Sequence, residues 1–122
     1  MKHGRDLLAL LAILTAALLS TTMAVQAADV DQGKKLYGQF CASCHGQSGK
    51  GDGPAAAALN PKPRDHTDKE YMSKLSDEDM FKVIKNGGAS VGKSPLMPPW
   101  GASLKDDQIK DVVAYIRTLC CE

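Results

Sequence analysis

The segment 41–45, CASCH, constrains this chain more than any other part of its sequence. Two cysteines separated by two residues and followed directly by histidine form a CxxCH signature, which is the attachment site of c-type haem. Residues three apart share a helix face, so Cys41 and Cys44 can both bond through sulfur to one edge of a porphyrin. His45 then supplies a common proximal ligand for haem iron. The sequence therefore predicts one covalently bound haem c.

A CxxC pair also occurs in redox-active dithiols and in zinc sites, so both alternatives have to be weighed. A thioredoxin-like dithiol requires a βαβ frame, whereas the residues before Cys41 have a helical pattern and no alternating strands follow. A four-ligand zinc site would have to recruit Cys120 or Cys121, without the paired ligand spacing of structural zinc. Haem attachment is the interpretation that the rest of the chain favours.

The N-terminal segment has the features of a secretory signal peptide. Lys2 and Arg5 form a basic region, residues 7–19 are rich in Leu and Ala, and Val-Gln-Ala at 25–27 is an acceptable cleavage site. The sequence thus predicts a signal peptide over residues 1–27, a haem domain over residues 28–122, and a periplasmic location. An uncleaved membrane anchor is the alternative, because the segment through residue 28 could nearly span a bilayer.

The predicted haem domain is too small to bury much apolar surface by itself. We therefore expect an apolar cofactor to supply much of its core. The whole chain has 15 basic and 14 acidic residues. This balance does not indicate a nucleic-acid partner.

Helical periodicity predicts an all-α domain of about four short helices joined by long loops. Asp31 is the expected N-cap of the first helix. Thr67 and Ser76 each precede an acidic residue by three positions, which predicts two further helix starts, and the last helix is expected to begin near Lys105 or Asp106. The core stripes of the first and last helices are Leu36, Tyr37, Phe40, Cys41 and Cys44, and Ile109, Val112, Val113, Ile116 and Leu119. Loops of this length are unusual unless they wrap a ligand.

A Met-Pro-Pro-Trp-Gly stretch at residues 97–101 and a closing amphipathic helix complete the pattern. Together with CxxCH, these motifs resemble the class I c-type cytochromes, closest to the small bacterial single-haem branch that includes the haem domain of the third subunit of cbb3-type oxidases. The resemblance covers residues 29–119. It implies the class I cytochrome c fold, in which the first and last helices cross. It further implies that Gly33, Tyr37 and Tyr115 lie where these helices pack.

The resemblance also implies the roles of individual residues. Cys41 and Cys44 would be the thioether anchors, His45 the proximal iron ligand, and Met97, in the Met-Pro loop, the distal ligand. Met72 and Met80 are the alternatives, but they lie on amphipathic helical segments, where methionine more often fills the core.

Three residues are weaker candidates for contacts around the haem. A carbonyl in the Asn60–Pro61 region is expected to accept the Nδ1 proton of His45, as a prolyl carbonyl does in the family. Arg64 and Trp100 are candidates to hydrogen-bond a haem propionate. The alternatives are a solvated arginine and a core tryptophan.

Two features depart from the pattern. His66 stands in a polar loop where an aromatic residue is expected, and we interpret it as a surface residue, with a role as iron ligand as the alternative. Cys120 and Cys121 lie just beyond the predicted last helix. A disulfide between adjacent residues would be strained, so the expected states are an intermolecular disulfide that links a dimer, or a free thiol pair.

The functional hypothesis is electron transfer between a redox donor and a redox acceptor, without nucleic acid and without enzyme activity. The membrane would be contacted only through a redox partner or an uncleaved signal. Lys50, Lys62 and Lys93 are expected to flank the docking face. The alternatives are a haem enzyme or gas-binding protein with an open sixth site, and a redox subunit tethered to a membrane oxidase.

Overall fold

The computed structural model describes residues 26–121. The predicted signal peptide, residues 1–27, lies almost entirely outside this range, so it stays a prediction. None of the helices within residues 26–121 has the length and hydropathy that a membrane-spanning helix requires.

Residues 26–121 form an all-α domain, and this part of the chain contains no strand. The helices are α1 (Val30–Phe40), α2 (Ala42–His45), α3 (Lys69–Met72), α4 (Asp77–Asn86) and α5 (Asp106–Cys120), with 3₁₀ turns at Ala56–Ala58 and Gly88–Val91. The predicted fold class is confirmed. The count exceeds the expected four because the first helix ends at Phe40 and the CxxCH segment forms a separate turn.

The N-cap of α1 is Asp29, so the prediction of Asp31 was wrong. The Asp29 carboxylate accepts a hydrogen bond from the N–H of Gln32 (2.9 Å), and the Asp29 N–H donates to the Asp111 carboxylate (2.7 Å). Asp31 lies inside the first turn, where its charge interacts favourably with the helix dipole. The cap therefore also ties the start of α1 to α5.

The starts of α3 and α4 test the two predicted capping pairs. Asp68 rather than Thr67 caps α3, because the Asp68 carboxylate accepts from the N–H of Tyr71 (3.1 Å). At α4 the prediction is confirmed: Ser76 Oγ accepts from the N–H of Asp79, and the Asp79 carboxylate accepts from the N–H of Ser76, both at 3.1 Å. Helix α4 then ends at Asn86, and Gly87 is its C-cap.

Helix α1 packs mainly on α5, as the resemblance implied. The helices approach most closely at Gly33, where a Cβ atom would overlap the carbonyl oxygen of Asp111 and lie 3.1 Å from Cβ of Tyr115. One turn further along α1, the buried Tyr37 ring meets Tyr115 edge-on, with 5.2 Å between the ring centroids. Glycine at position 33 therefore sets the distance between the first and last helices.

Helix α5 is the central support of the domain. Four residues of its predicted stripe are buried, Leu119 is half-buried, and Met80 and Ile84 of α4 belong to the same core. Arg117 of α5 donates hydrogen bonds to the Met72 and Leu75 carbonyls and to the Asp77 carboxylate, at the turn between α3 and α4. Both α1 and α4 are thus held by α5.

We predict that Gly33→Ala lowers the free energy of unfolding by about 1–3 kcal/mol, because the added methyl group forces α1 away from α5. The matched control is Gly38→Ala in the same helix, where the nearest atom to a new Cβ is 3.9 Å away. That control should raise stability by about 0.5–1 kcal/mol through helix propensity. Denaturant unfolding measures both. Equal effects of the two substitutions would contradict the close packing at Gly33.

Candidate haem site

A cavity of about 660 Å³ lies between α2, α4 and the loops that connect them. This volume falls within the range of about 300–1,000 Å³ that is usual for small-molecule and cofactor sites. All seven predicted site residues line it: Cys41, Cys44, His45, Pro61, Arg64, Met97 and Trp100. Residues that are distant in the sequence therefore meet at one place.

Cys41 is the N-cap of the short helix α2, and Cys44 lies within that helix. The N–H groups of Cys44 and His45 both donate to the carbonyl of Cys41, at 3.2 and 2.9 Å, which closes the turn. Both cysteines are free thiols, with Cys41 buried and Cys44 half-buried. Burial raises the pKa of the Cys41 thiol to about 12. The thiol is therefore protonated at neutral pH.

His45 is buried and has a defined tautomer. Its Nδ1 lies 2.9 Å from the carbonyl oxygen of Arg64. A carbonyl can only accept, so Nδ1 must donate the proton and Nε2 of the neutral ring keeps a lone pair. Burial lowers the pKa of His45, which keeps the ring neutral, although the hydrogen bond to Arg64 acts in the opposite direction. The ring is thus prepared to donate Nε2 to a metal.

The carbonyl that accepts from His45 is that of Arg64, so the prediction of the Asn60–Pro61 region was wrong. The reason is the packing of the loop after α2 on the segment 63–66. A Cβ atom at Gly51 would lie 2.5 Å from the Pro63 carbonyl oxygen, and the Gly49 carbonyl accepts from the His66 N–H (2.6 Å). These close contacts bring the Arg64 carbonyl to His45. Pro61 lines the cavity instead.

His66 is buried, with 9% of its surface exposed, so its interpretation as a surface residue was wrong. Its Nδ1 lies 3.0 Å from the hydroxyl of Tyr37. Its ring stacks on His45 with 4.2 Å between centroids and 16° between the planes. Burial is the main cause that lowers the pKa of His66 to about 3, so the ring is neutral. The polar residues next to His66 in the sequence gave no indication that it is buried. The expectation of an aromatic residue at this position was the signal that could have indicated it.

The stacking also bears on His66 as an iron ligand. The His45 and His66 rings lie face to face, so the two imidazoles could not bind one metal ion from opposite sides. With His45 at the iron, His66 would lie on the same side. The arrangement disfavours the His45–His66 ligand pair.

Three methionines line the cavity: Met72 and Met80, which are 2% and 3% exposed, and Met97, which is half-buried. Met97 belongs to the loop that follows α4. Its carbonyl accepts from the N–H of Gly88 (3.0 Å), and the Trp100 N–H donates to the carbonyl of Ile84 (2.9 Å). Both ends of the Met-Pro loop are therefore tied to the C-terminal part of α4 and the turn that follows it.

Cationic and aromatic side chains form the polar part of the cavity wall. The Arg64 guanidinium lies 3.7 Å from the ring centroid of Tyr71, and Lys93 Nζ donates to the Tyr71 hydroxyl (2.8 Å). That hydrogen bond is the main cause that lowers the pKa of Tyr71. Trp100 packs edge-on against Phe40, with 5.4 Å between centroids. Lys62 and Lys93 line the cavity, whereas Lys50 is not among its lining residues.

Cys120 and Cys121 form a disulfide with each other. This differs from the expected intermolecular disulfide or free thiol pair. Cys121 leaves the helical conformation at the end of α5 (φ −128°, ψ 3°), and the two side chains meet there. Neither sulfur is thus a free thiol for a dimer or for zinc.

The alternative zinc and dithiol interpretations find no support in residues 26–121. No three His, Cys, Asp or Glu side chains in this range are grouped as metal ligands would be. The described chain also lacks the strands that a thioredoxin-like frame requires. The donor set that the cavity does offer, two free thiols beside a neutral imidazole in a largely apolar wall, fits a covalently attached haem.

We predict that Gly51→Ala destabilises the protein more than Gly92→Ala. Both glycines have a positive φ (+73° and +71°), which costs a residue with a side chain about 1–2 kcal/mol. At Gly51 the new methyl group also meets the Pro63 carbonyl, whereas at Gly92 it meets nothing within 4 Å. The clash should add about 1–3 kcal/mol.

The visible spectrum of the haem-loaded variants provides a second measurement. Gly51→Ala should alter the spectrum because it displaces the segment that carries the Arg64 carbonyl, and Gly92→Ala should not. Identical spectra and equal stabilities of the two variants would contradict the role assigned to this contact.

The chain is similar to proteins of one known family. A family model described as cytochrome C oxidase, cbb3-type, subunit III matches residues 28–116. The FixP subunit of a cbb3-type cytochrome c oxidase from Bradyrhizobium is 31% identical over 94 residues, which cover 77% of this chain and 29% of that protein. The chain thus spans less than a third of the length of that relative.

Similarity extends over nearly the full length of smaller proteins. Cytochrome c-554(547) of Halothiobacillus neapolitanus is 33% identical over 98 residues, which cover 76% of this chain and 99% of that protein. Among solved structures, the KustC0563 c-type cytochrome superposes with a TM-score of 0.58 at 29% identity, covering 72% of this chain and 96% of the other.

Proposed function

This chain belongs to the family of cbb3-type cytochrome c oxidase subunit III and has a class I cytochrome c fold, and on this basis we propose that it is a periplasmic electron carrier with one covalent haem c. Cys41 and Cys44 would form the two thioether bonds. His45 and Met97 would be the axial ligands of the iron.

The observation that carries the proposal is the tautomer of His45. Its proton is directed to the Arg64 carbonyl, so Nε2 keeps its lone pair for the metal. The free thiols of Cys41 and Cys44 stand beside it on the same turn and line the same cavity. No other part of residues 26–121 combines a metal-binding nitrogen with two anchoring sulfurs.

A bound haem supplies a one-electron change between ferric and ferrous iron. The chain's own residues would tune the reduction potential by excluding water from the cavity and by lining it with few charged groups. Phe40, Val83 and Ile84 contribute apolar surface to the cavity. An apolar surrounding disfavours the additional positive charge of the oxidised state, and this raises the reduction potential.

Met97 is the proposed distal ligand because of the loop that carries it. Pro98 and Pro99 restrict the backbone after it, and the hydrogen bond from Gly88 holds its carbonyl. Met72 and Met80 also line the cavity, but both are almost fully buried in the hydrophobic core. Their packing roles favour Met97 as the residue whose sulfur serves the iron.

The polar part of the cavity wall would bind the haem propionates. Arg64 and Lys93, both exposed and both in contact with Tyr71, supply positive charge at the cavity. Trp100 is a second candidate donor to a propionate. Its edge-on contact with Phe40 also gives it a packing role.

The partners would be a redox donor and a redox acceptor. The relative named as an oxidase subunit supports such partners and also supports a second candidate function, a redox subunit of a membrane oxidase. The near-balanced charge gives no support to nucleic acid as a partner. The location rests on the predicted signal peptide.

We predict that the exported protein carries one covalently bound haem. Intact mass under denaturing conditions should equal the chain from about residue 28 plus one haem. Cys41→Ala or Cys44→Ala should weaken or abolish covalent attachment, and Ser43→Ala, between them and exposed, is the matched control that should leave it intact. An exported wild-type chain without bound haem would contradict the proposed function.

We predict that Met97→Ala opens the iron to external ligands and lowers the reduction potential, because the thioether is lost. Carbon monoxide should then bind the ferrous form readily. Met72→Ala and Met80→Ala, the matched controls, should each cost about 2–5 kcal/mol of stability and leave carbon monoxide binding unchanged. Rapid carbon monoxide binding by the wild type would favour the gas-binding or enzyme alternative.

A further inference from the structure

We propose that His66 is a positioning residue that holds the imidazole plane of His45 at one orientation. The inference rests on the proposed function, in which His45 is the proximal ligand. It goes beyond that function because His66 contributes neither to haem attachment nor to the ligand pair. Its face-to-face contact with His45, at 4.2 Å and 16°, is the observation that carries the proposal.

The hydrogen bond to Arg64 cannot hold the His45 ring alone. A single bond from Nδ1 directs that edge of the ring, but it leaves the ring free to rock about the line between Nδ1 and the acceptor. A flat group against one face blocks this motion. The His66 ring lies nearly parallel to His45 and supplies such a surface. The two contacts together define both the direction and the plane of the imidazole.

His66 is itself held from two sides. Its backbone N–H donates to the Gly49 carbonyl (2.6 Å), and its Nδ1 is paired with the Tyr37 hydroxyl (3.0 Å). Gly49 has a φ of +78°, and a Cβ atom there would lie 2.7 Å from Cδ1 of Leu119 and 3.3 Å from Cβ of His66. Glycine at this position therefore permits the close approach.

The contacts continue into the interface between the first and last helices. Tyr37 meets His66 edge-on at 5.8 Å and Tyr115 edge-on at 5.2 Å. Tyr37 is 1% exposed, so few alternative positions are open to its hydroxyl. The chain of contacts runs from Tyr115 through Tyr37 and His66 to His45. The orientation of the proximal ligand is thus set by the packing of α1 on α5.

The orientation has electronic consequences for a bound haem. In the haem-loaded protein, the plane of the His45 imidazole would influence how unpaired electron density is distributed over the porphyrin in the ferric state. A polarisable ring beside the ligand also favours the more positive oxidised form, as an aromatic face favours a cation. An aliphatic residue at position 66 should therefore disturb the spin distribution and raise the reduction potential.

The test compares three variants of the haem-loaded protein: His66→Leu, His66→Phe and Tyr37→Phe. The first removes the flat ring, the second keeps it without the hydrogen bond, and the third removes only the hydroxyl that anchors it. Val112→Ala is the matched control, since Val112 is fully buried in the core and does not line the cavity. The measurements are the order of the haem methyl signals in the proton NMR spectrum of the ferric protein, the reduction potential and the melting temperature.

The proposal expects His66→Leu to change the order of the methyl signals and to raise the potential. His66→Phe should stay near the wild type in both, and Tyr37→Phe should give a smaller change of the same kind as the Leu variant. Val112→Ala should lower the melting temperature only. The proposal would be overturned if His66→Leu and His66→Phe had the same order of haem methyl signals and the same reduction potential.

If His66→Leu does not accumulate with haem, Tyr37→Phe provides the test instead. An unchanged order of the haem methyl signals together with an unchanged reduction potential in that variant would overturn the proposal. Failure of the proposed function would give a different experimental result from failure of this inference. In that case the wild type lacks covalent haem, or His45→Ala retains the wild-type iron spectrum.

Discussion

The hydrogen bond from His45 Nδ1 to the Arg64 carbonyl is the interaction on which the rest of the site depends. It selects the tautomer that leaves Nε2 free, and it requires the segment 63–66 to pack against the loop after α2. That packing is tight enough that only glycine fits at Gly51 and Gly49, where a side chain would meet the Pro63 carbonyl or the His66 and Leu119 side chains. These two glycines thereby help to determine which nitrogen of His45 faces the cavity.

The domain arranges its limited secondary structure around that cavity. Helix α5 packs against α1 at Gly33 and against α4, while Arg117 secures the turn before α4 through two backbone carbonyls. The remaining wall consists of loops. These loops line one side of a cavity of about 660 Å³, and a large apolar ligand would complete their packing there. Fold and cofactor are therefore expected to depend on each other.

Much of this arrangement follows from local sequence signals. The CxxCH spacing, the Ser76 and Asp79 pair and the stripe of α5 each have a direct physical meaning. The structure confirms the capping pair and the buried stripe, and it brings the three CxxCH side chains to one cavity. No local signal in the sequence indicates that the Arg64 carbonyl accepts the hydrogen bond from His45. Every residue has a backbone oxygen, and only tertiary packing decides which one reaches the imidazole. His66 was missed because burial cannot be read from polar neighbours. Asp29 and Asp31 are both good caps, and the choice depends on the contact with Asp111 in a distant helix.

The proton and ¹⁵N NMR spectrum of the reduced, haem-loaded protein tests the central claim most directly. The account predicts one methionine methyl signal shifted far upfield by the porphyrin ring, assigned to Met97. It also predicts a slowly exchanging imidazole proton on Nδ1 of His45, protected by the Arg64 carbonyl. A shifted methyl group assigned to Met72 or Met80, or a proton on Nε2 of His45, would contradict the ligand set argued for this protein.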